Sequence, residues 1–115
     1  MDKMKKEIKA RWVAALRSGE YEQSKNFLKG EYGFCCLGVL CDILQDDLGG
    51  EWDEDSFMGV SEFLPGEIME YCGLTDSDPE LVSKGQEKGI SFFNDAEDDF
   101  HLTFAELADA IEVQL

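Results

Sequence analysis

The chain has 115 residues, of which 43% are hydrophobic and 11% aromatic, and its formal net charge at pH 7 is −16. This length and apolar content are enough for one hydrophobic core, which excludes a disordered acidic tail and predicts a single domain over residues 1–115. A protein this acidic repels polyanions, so we expect no direct binding of nucleic acid and a partner with a basic surface.

The charge is divided unevenly along the chain. Residues 1–30 contain eight Lys and Arg against four Asp and Glu, whereas residues 31–115 contain two against twenty-two. The apolar run at 12–16 is shorter than the core of a signal peptide, and the run at 33–41 is less than half of the roughly 20 residues that span a membrane. We therefore expect a cytoplasmic protein that does not bind membranes, with its four cysteines reduced.

Residues 2–18 are predicted to form a basic amphipathic helix. Its apolar side consists of Met4, Ile8, Trp12, Ala15 and Leu16. Asp2 is placed to cap its start and Gly19 to adopt the left-handed conformation after its end. Helices of this kind also bind anionic lipids or partner proteins, but the moderate apolar side favours docking on the protein's own core.

A short second helix is predicted at 21–28 and a central helix at 34–47, the most apolar segment of the chain. The central helix contains Cys35, Cys36 and Cys41 among apolar neighbours, which is typical of small core residues rather than of reactive thiols. An acidic loop follows. Its apolar residues at 57–60 are predicted to form one strand of a small antiparallel pair.

The second strand of that pair is predicted at 90–93. Before it, Pro65 and Gly73 bracket a short helix, and Asp78 with Pro79 is suited to start one more helical turn.

Thr103 and Glu106 have the spacing of a capping box, which predicts a last helix at 103–114. The expected fold is mainly α: one compact domain of four to five helices, in which helices 2–18, 34–47 and 103–114 enclose the core.

Four segments follow one another in a recognisable order. They are WVAALRSGEYEQ (12–23), GFCCLGVLCDIL (33–44), LPGEIMEYCGL (64–74) and FND with LTFAELADAIE (93–112). Together they cover about half of the chain and resemble a family of small proteins carried by bacteriophages and prophages. The resemblance implies an origin and carries over no activity, ligand or catalytic residue. This chain departs from the family at 95–100, where the turn is more acidic than the short Gly-containing turn expected there.

The acidic segments are the leading candidate site. They comprise Glu51, Asp53, Glu54, Asp55, Glu97, Asp98 and Asp99. A protein of this length spans on the order of 35 Å, and duplex DNA of that length carries roughly 20 phosphate charges, comparable to the −20 of residues 31–115. The hypothesis is a phage accessory protein that binds and modulates or inhibits a host protein, with mimicry of nucleic acid as one means of doing so.

A small-ligand binder, such as a protein that sequesters a nucleotide signal, is the alternative hypothesis. Anionic nucleotides require local hydrogen-bond donors. The only concentrated source of such donors is the set Arg11, Arg17, Tyr21, Lys25, Lys29 and Tyr32.

The sequence indicates no cofactor, no metal site and no catalytic residue. Asp95 to Glu106 follows the ligand order of an EF-hand, but its sixth position is Phe100 where that loop requires Gly. The cysteines lack paired zinc-binding spacing. His101 is the only histidine and has no nucleophile motif beside it, so we predict a protein that is not an enzyme.

Overall fold

This computed structural model describes residues 4–115 of the chain. These residues form six helices and two antiparallel hairpins. The helices are α1 (Lys6–Arg17), α2 (Cys36–Ile43), α3 (Gln45–Leu48), α4 (Gly66–Cys72), α5 (Ile90–Asp95) and α6 (Phe104–Gln114). The hairpins pair β1 (Trp52–Asp53) with β2 (Ser56–Phe57) and β3 (Glu80–Ser83) with β4 (Gln86–Gly89). The single domain is therefore mixed α and β, with more helices than the predicted four to five and two hairpins instead of one strand pair.

Helix α1 docks on the core of its own chain, as predicted. It packs against α6 and α2 and buries Ile8, Trp12, Val13 and Leu16. The Trp12 indole Nε1 donates to the Cys36 carbonyl oxygen at 3.0 Å. The helix begins at Lys6 instead of residue 2 because Lys5 is extended, and the predicted cap Asp2 lies outside the described residues. Gly19 has the expected left-handed φ of 79°.

The predicted central helix at 34–47 is divided into α2 and α3 by Leu44, whose φ of −102° and ψ of 5° interrupt the helix. All four cysteines are free and buried, which confirms their predicted place in the core. Burial raises the pKa of the Cys35 and Cys72 thiols to about 12. Both thiols are therefore protonated at neutral pH, as expected for residues whose role is packing.

The predicted helix at 21–28 is wrong. The chain there is irregular, and it is fixed by isolated bridges from Gln23 and Lys29 to Phe34. Asn26 has a φ of 76°, which no right-handed helix accommodates. Hydrogen bonds to residues outside the segment replace the local helical ones, because the Ser24 N–H donates to the Phe34 carbonyl oxygen and the Leu28 N–H donates to the Ser61 carbonyl oxygen.

The predicted pairing of 57–60 with 90–93 is also wrong. Phe57 pairs with Trp52 across a two-residue turn, and 90–93 begins α5. Each segment has a different local partner or neighbour. Phe57 belongs to the β1–β2 hairpin, in whose turn Glu54 has a positive φ, and 90–93 directly follows the β3–β4 hairpin, whose turn residues Lys84 and Gly85 both have positive φ.

Asp78 does not start a helical turn. Its carboxylate accepts from the backbone N–H of Ser91 at 2.9 Å and from the Ser91 hydroxyl at 2.5 Å. It therefore caps the first turn of α5 from a distant part of the sequence.

The bracketed helix and the last helix are close to their predicted positions. Pro65 is the residue just before α4 instead of its first helical residue, and Gly73 ends the helix with a φ of 79°. The capping box of α6 is confirmed, because the Thr103 hydroxyl accepts from the Glu106 N–H at 3.2 Å and the Glu106 carboxylate accepts from the Thr103 N–H at 3.0 Å.

This capping box predicts a pH-dependent part of the stability. The Thr103 N–H holds the pKa of the Glu106 carboxyl below its ordinary value. A carboxyl whose pKa is lower in the folded state than in the unfolded state stabilises the fold at pH values above its unfolded pKa. This contribution is lost as the pH falls through the folded pKa. Glu106→Gln keeps a hydrogen-bonding cap without a charge. Urea unfolding at about pH 7 and about pH 3 should show wild type more stable than Glu106→Gln only at the higher pH; a constant difference contradicts the assignment.

Candidate functional site

Three consecutive carboxylates occupy the tip of the β1–β2 hairpin. Asp53 ends β1, and Glu54 and Asp55 form the two-residue turn, in which Glu54 has a φ of 57°. All three are exposed, as is Glu51 just before the hairpin. Within residues 4–115 the carboxylates of Glu51, Glu54 and Asp55 make no hydrogen bond or ion pair. The hairpin therefore presents negative charge that no neighbouring side chain neutralises.

An aromatic cluster, defined here as Tyr21, Phe34, Trp52 and Phe57, fixes the base of this hairpin. Successive ring centroids lie 5.2, 5.6 and 5.0 Å apart. The Asp42 carboxylate ties the cluster to α2: it accepts from the Tyr21 hydroxyl at 2.6 Å and from the Trp52 indole at 2.9 Å. Burial and this hydrogen bond raise the pKa of the Tyr21 hydroxyl. The hairpin is thus held by both packing and hydrogen bonds.

The second acidic segment is the turn between α5 and α6. Glu97, Asp98 and Asp99 are exposed there. Asp98 accepts from the Phe100 N–H at 3.0 Å, and the Asp99 carbonyl oxygen accepts from the Lys84 ammonium. Of these three carboxylates, only that of Asp98 makes a hydrogen bond to another group among residues 4–115.

The EF-hand pattern has no matching geometry in that turn. Asp95, its first position, accepts from the Asn26 N–H at 3.0 Å and from the Asn94 amide at 2.9 Å. Glu106, its last position, is engaged in the capping box. The carboxylates at the first and last positions of the pattern are thus already engaged in hydrogen bonds within the fold.

His101, the only histidine of the chain, is half-buried, and its Nδ1 has no hydrogen-bond partner among residues 4–115.

Both acidic segments adjoin the same loop, residues 24–31. On one side of the loop, Lys25 donates to the Ala96 carbonyl oxygen at 3.0 Å. On the other side, the loop and the hairpin tip enclose a cleft of about 460 Å³. Its lining residues are Phe27, Lys29, Gly30, Glu31, Glu54 and Asp55. We call the seven predicted carboxylates, in their two segments on either side of this loop, the acidic surface.

The two arginines of α1 are paired with other carboxylates. Arg11 lies 3.0 Å from Asp47, and Arg17 lies 2.6 Å from Asp109 and 3.2 Å from Glu112. The Arg11 guanidinium lowers the pKa of the Asp47 carboxyl, while the two carboxylates beside Arg17 raise the pKa of its guanidinium. Two of the basic side chains of the N-terminal part are therefore paired with carboxylates outside the acidic surface.

The six residues of the alternative ligand site are not brought together. Arg11 lines a cleft of about 560 Å³ with Lys5, Lys6 and Tyr71, whereas Lys29 lines the cleft beside the hairpin. The other four lie elsewhere. Arg17 pairs with Asp109 of α6, the Tyr21 hydroxyl donates to Asp42, Lys25 donates to the Ala96 carbonyl oxygen, and Tyr32 is 84% exposed in the loop before α2. The structure thus divides this predicted set among several surfaces.

Two residues of this region could not be assigned a role from the sequence. Phe27 is 41% exposed at the cleft, although apolar residues of its kind are usually counted as core. Asn94 is fully buried and is the hydrogen-bonding centre beneath the loop. The only signal for it in the sequence is its place in the FND segment at 93–95, just after the strand predicted at 90–93.

Comparison with known proteins gives a family without an activity. Among the described residues, no helix is both long and apolar enough to cross a membrane. No curated protein and no solved structure matches the chain. A family model, described as a domain of unknown function (DUF8296), matches residues 4–115. The chain therefore belongs to the DUF8296 family.

Proposed function

We propose that this protein is a phage-encoded accessory protein that binds and modulates a host protein with a basic surface. The observation that supports this proposal best is the placement of charge. Two exposed acidic segments flank one loop, while Arg11 and Arg17 are paired with carboxylates elsewhere. Unpaired surface carboxylates attract a cationic partner over long range and favour its orientation toward the acidic surface.

Mimicry of nucleic acid is one form that this binding takes in our proposal. The longest dimension of the molecule is 37 Å. Duplex DNA carries one charge per 1.7 Å, so that length corresponds to about 20 phosphates. A host protein that binds DNA has the complementary basic surface, and occupying that surface would inhibit it. Residues of the acidic surface act by charge and need no catalytic chemistry.

The salt dependence of binding tests the proposal. The partner is captured from a bacterial host lysate at low salt, identified by mass spectrometry and purified. Its dissociation constant should rise at least about tenfold between about 50 mM and about 500 mM salt, because screening weakens attraction between exposed charges. An affinity that does not change with salt contradicts the proposal.

A charge-matched pair of variants locates the binding surface. The first variant neutralises the three carboxylates of the hairpin tip and Glu51 just before the hairpin: Glu51→Gln, Asp53→Asn, Glu54→Gln and Asp55→Asn. The second removes the same charge from exposed carboxylates outside the acidic surface: Glu20→Gln, Glu67→Gln, Glu70→Gln and Glu87→Gln. We expect the first to weaken binding at least about tenfold and the second to change it by less than about threefold. Equal losses would mean that net charge, and not the acidic surface, selects the partner.

The cleft beside Arg11 favours a second candidate function, the binding of a small anionic ligand. It combines the exposed ammonium groups of Lys5 and Lys6 with the Tyr71 ring, and the Lys5 ammonium lies 5.2 Å from the centre of that ring. Arg11, however, is already paired with Asp47 in the same cleft. Native mass spectrometry of protein purified from lysate separates the two functions, because it detects either a retained small molecule or a retained host protein.

A further inference from the structure

The cleft between the loop and the hairpin tip has an unusual composition for a surface depression. Carboxylates of Glu31, Glu54 and Asp55 line it together with the exposed ring of Phe27. Among residues 4–115, Lys29 is the single cation in its lining. A concave space with several convergent carboxylates and one aromatic wall is complementary to a side chain that is both cationic and able to stack on a ring.

Lys29 shows how this region accommodates a cation. Its ammonium lies 5.5 Å from the centre of the Trp52 ring and 5.7 Å from the centre of the Phe34 ring. The protein's own ammonium is therefore bound by the aromatic cluster at the inner side of the cleft. No ion pair joins it to Glu31, Glu54 or Asp55 within residues 4–115. Those three carboxylates remain available to a cation from outside.

The size and rigidity of the cleft suit a side chain of a folded partner or a peptide. About 460 Å³ lies within the range of ordinary ligand sites, roughly 300–1,000 Å³. One wall is fixed because Trp52 of the hairpin is bonded to Asp42 on α2. The other wall is fixed because Leu28, next to Phe27, bonds to both Ser61 and Cys35 through its backbone. Little ordering of the cleft is thus required when a ligand enters.

We propose that this cleft receives an arginine side chain of the partner protein. Guanidinium is planar, so one face can stack on Phe27 while its edge pairs with the Glu54 and Asp55 carboxylates, and it loses its water more readily than an ammonium group does. The assignment rests on the proposed function, because it names the point at which the acidic surface contacts its cationic target. It adds a preference of arginine over lysine that net charge alone does not give.

Three peptides of equal length test the preference. Hexa-arginine, hexa-lysine and hexa-citrulline are titrated into the ¹⁵N-labelled full chain. We expect hexa-arginine to bind at least about threefold more tightly than hexa-lysine and to shift the amide signals of residues 27–31 and 53–56, with no binding of the neutral citrulline peptide. Phe27→Ala should remove the difference between arginine and lysine, since it deletes the stacking surface and leaves the carboxylates in place.

Two charge-matched double variants then locate the site. Glu54→Gln with Asp55→Asn alters the cleft, whereas Asp98→Asn with Asp99→Asn alters the other acidic segment by the same charge. The cleft variant should weaken hexa-arginine binding at least about tenfold and the control variant less than about threefold. All five substituted residues, Phe27 included, are on the surface, and unfolding curves of each variant check that the fold is kept.

Each result decides one of two questions. Equal weakening by the two double variants, or a persistent equality of arginine and lysine, overturns the assignment of the cleft. Such a result leaves the acidic surface as a diffuse binding region, so the proposed function survives it. A captured host protein whose affinity does not change with salt overturns the proposed function, whatever the peptides show.

Discussion

Gly38→Ala should destabilise the protein by about 3 kcal/mol. A Cβ at this position would lie 1.7 Å from the Leu28 carbonyl oxygen and 2.6 Å from its carbonyl carbon. These are backbone atoms, and the Leu28 carbonyl is itself bonded to the Cys35 N–H, so the loop cannot move away without losing that bond. The loss is a large fraction of the 5–15 kcal/mol that typically stabilises a small domain. Urea unfolding followed by tryptophan fluorescence measures it.

Gly66→Ala is the matched control. Gly66 is the first residue of α4, and a Cβ there meets no atom within 4 Å. Alanine is the better helix former, so this variant should keep or raise the stability, by up to about 1 kcal/mol. If both glycine variants unfold at the same denaturant concentration as wild type, the close packing of the loop on α2 is wrong.

Asn94→Leu should cost about 2–4 kcal/mol. Its amide oxygen accepts from the Gln23 side chain at 2.9 Å and from the Cys36 N–H at 3.1 Å, while its nitrogen donates to the Ser24 carbonyl oxygen at 2.8 Å. Leucine has a similar volume and bonds to none of them. The Cys36 N–H and the Ser24 carbonyl then remain without a partner. Burying unpaired polar groups away from water accounts for most of the expected loss of stability.

Gln114→Leu provides the comparison at the surface. The Gln114 amide bonds to both the N–H and the carbonyl of Val82, at 2.7 and 3.0 Å, but the residue is exposed. Water replaces these bonds when the amide is removed, so we expect a loss below about 1 kcal/mol. Denaturant midpoints of the two variants, measured together, test whether burial makes the difference. Similar losses would show that the Asn94 bonds are no more important than surface ones.

The sequence correctly predicted those parts of the fold that depend on residues close together in the chain. The α1 periodicity, the Gly19 and Gly73 ends and the Thr103 capping box all depend on residues within one or two helical turns. The predictions at 21–28 and 90–93 failed because distant groups decide those segments. Asn26 bonds to Asp95, and Asp78 caps α5 from a position 13 residues earlier.

The sequence predicted which carboxylates belong to the candidate site, but not how the fold arranges them. Carboxylate runs at 51–55 and 97–99 are visible in the sequence, and both are exposed in the fold. Their common neighbour, the loop at 24–31, is not visible in the sequence. The helix predicted at 21–28 overlaps it, and its contacts with Ala96 and the hairpin tip are long-range. The separation of Arg11 from Lys29 could not be foreseen for the same reason. The Arg11 partner, Asp47, lies 36 positions away, and Lys29 contacts the distant Trp52 as well as the nearby Phe34.

The contact between α1 and α6 has a consequence for how the protein is made. The two helices pack on each other, and Lys9 donates to the Glu112 carbonyl oxygen, 103 positions further along the chain. During synthesis, the side of α1 that packs on α6 therefore has no permanent cover until α6 has been translated. A domain with such distant contacts completes its folding only after α6 is made, so the nascent chain must avoid aggregation while that side of α1 is exposed to water.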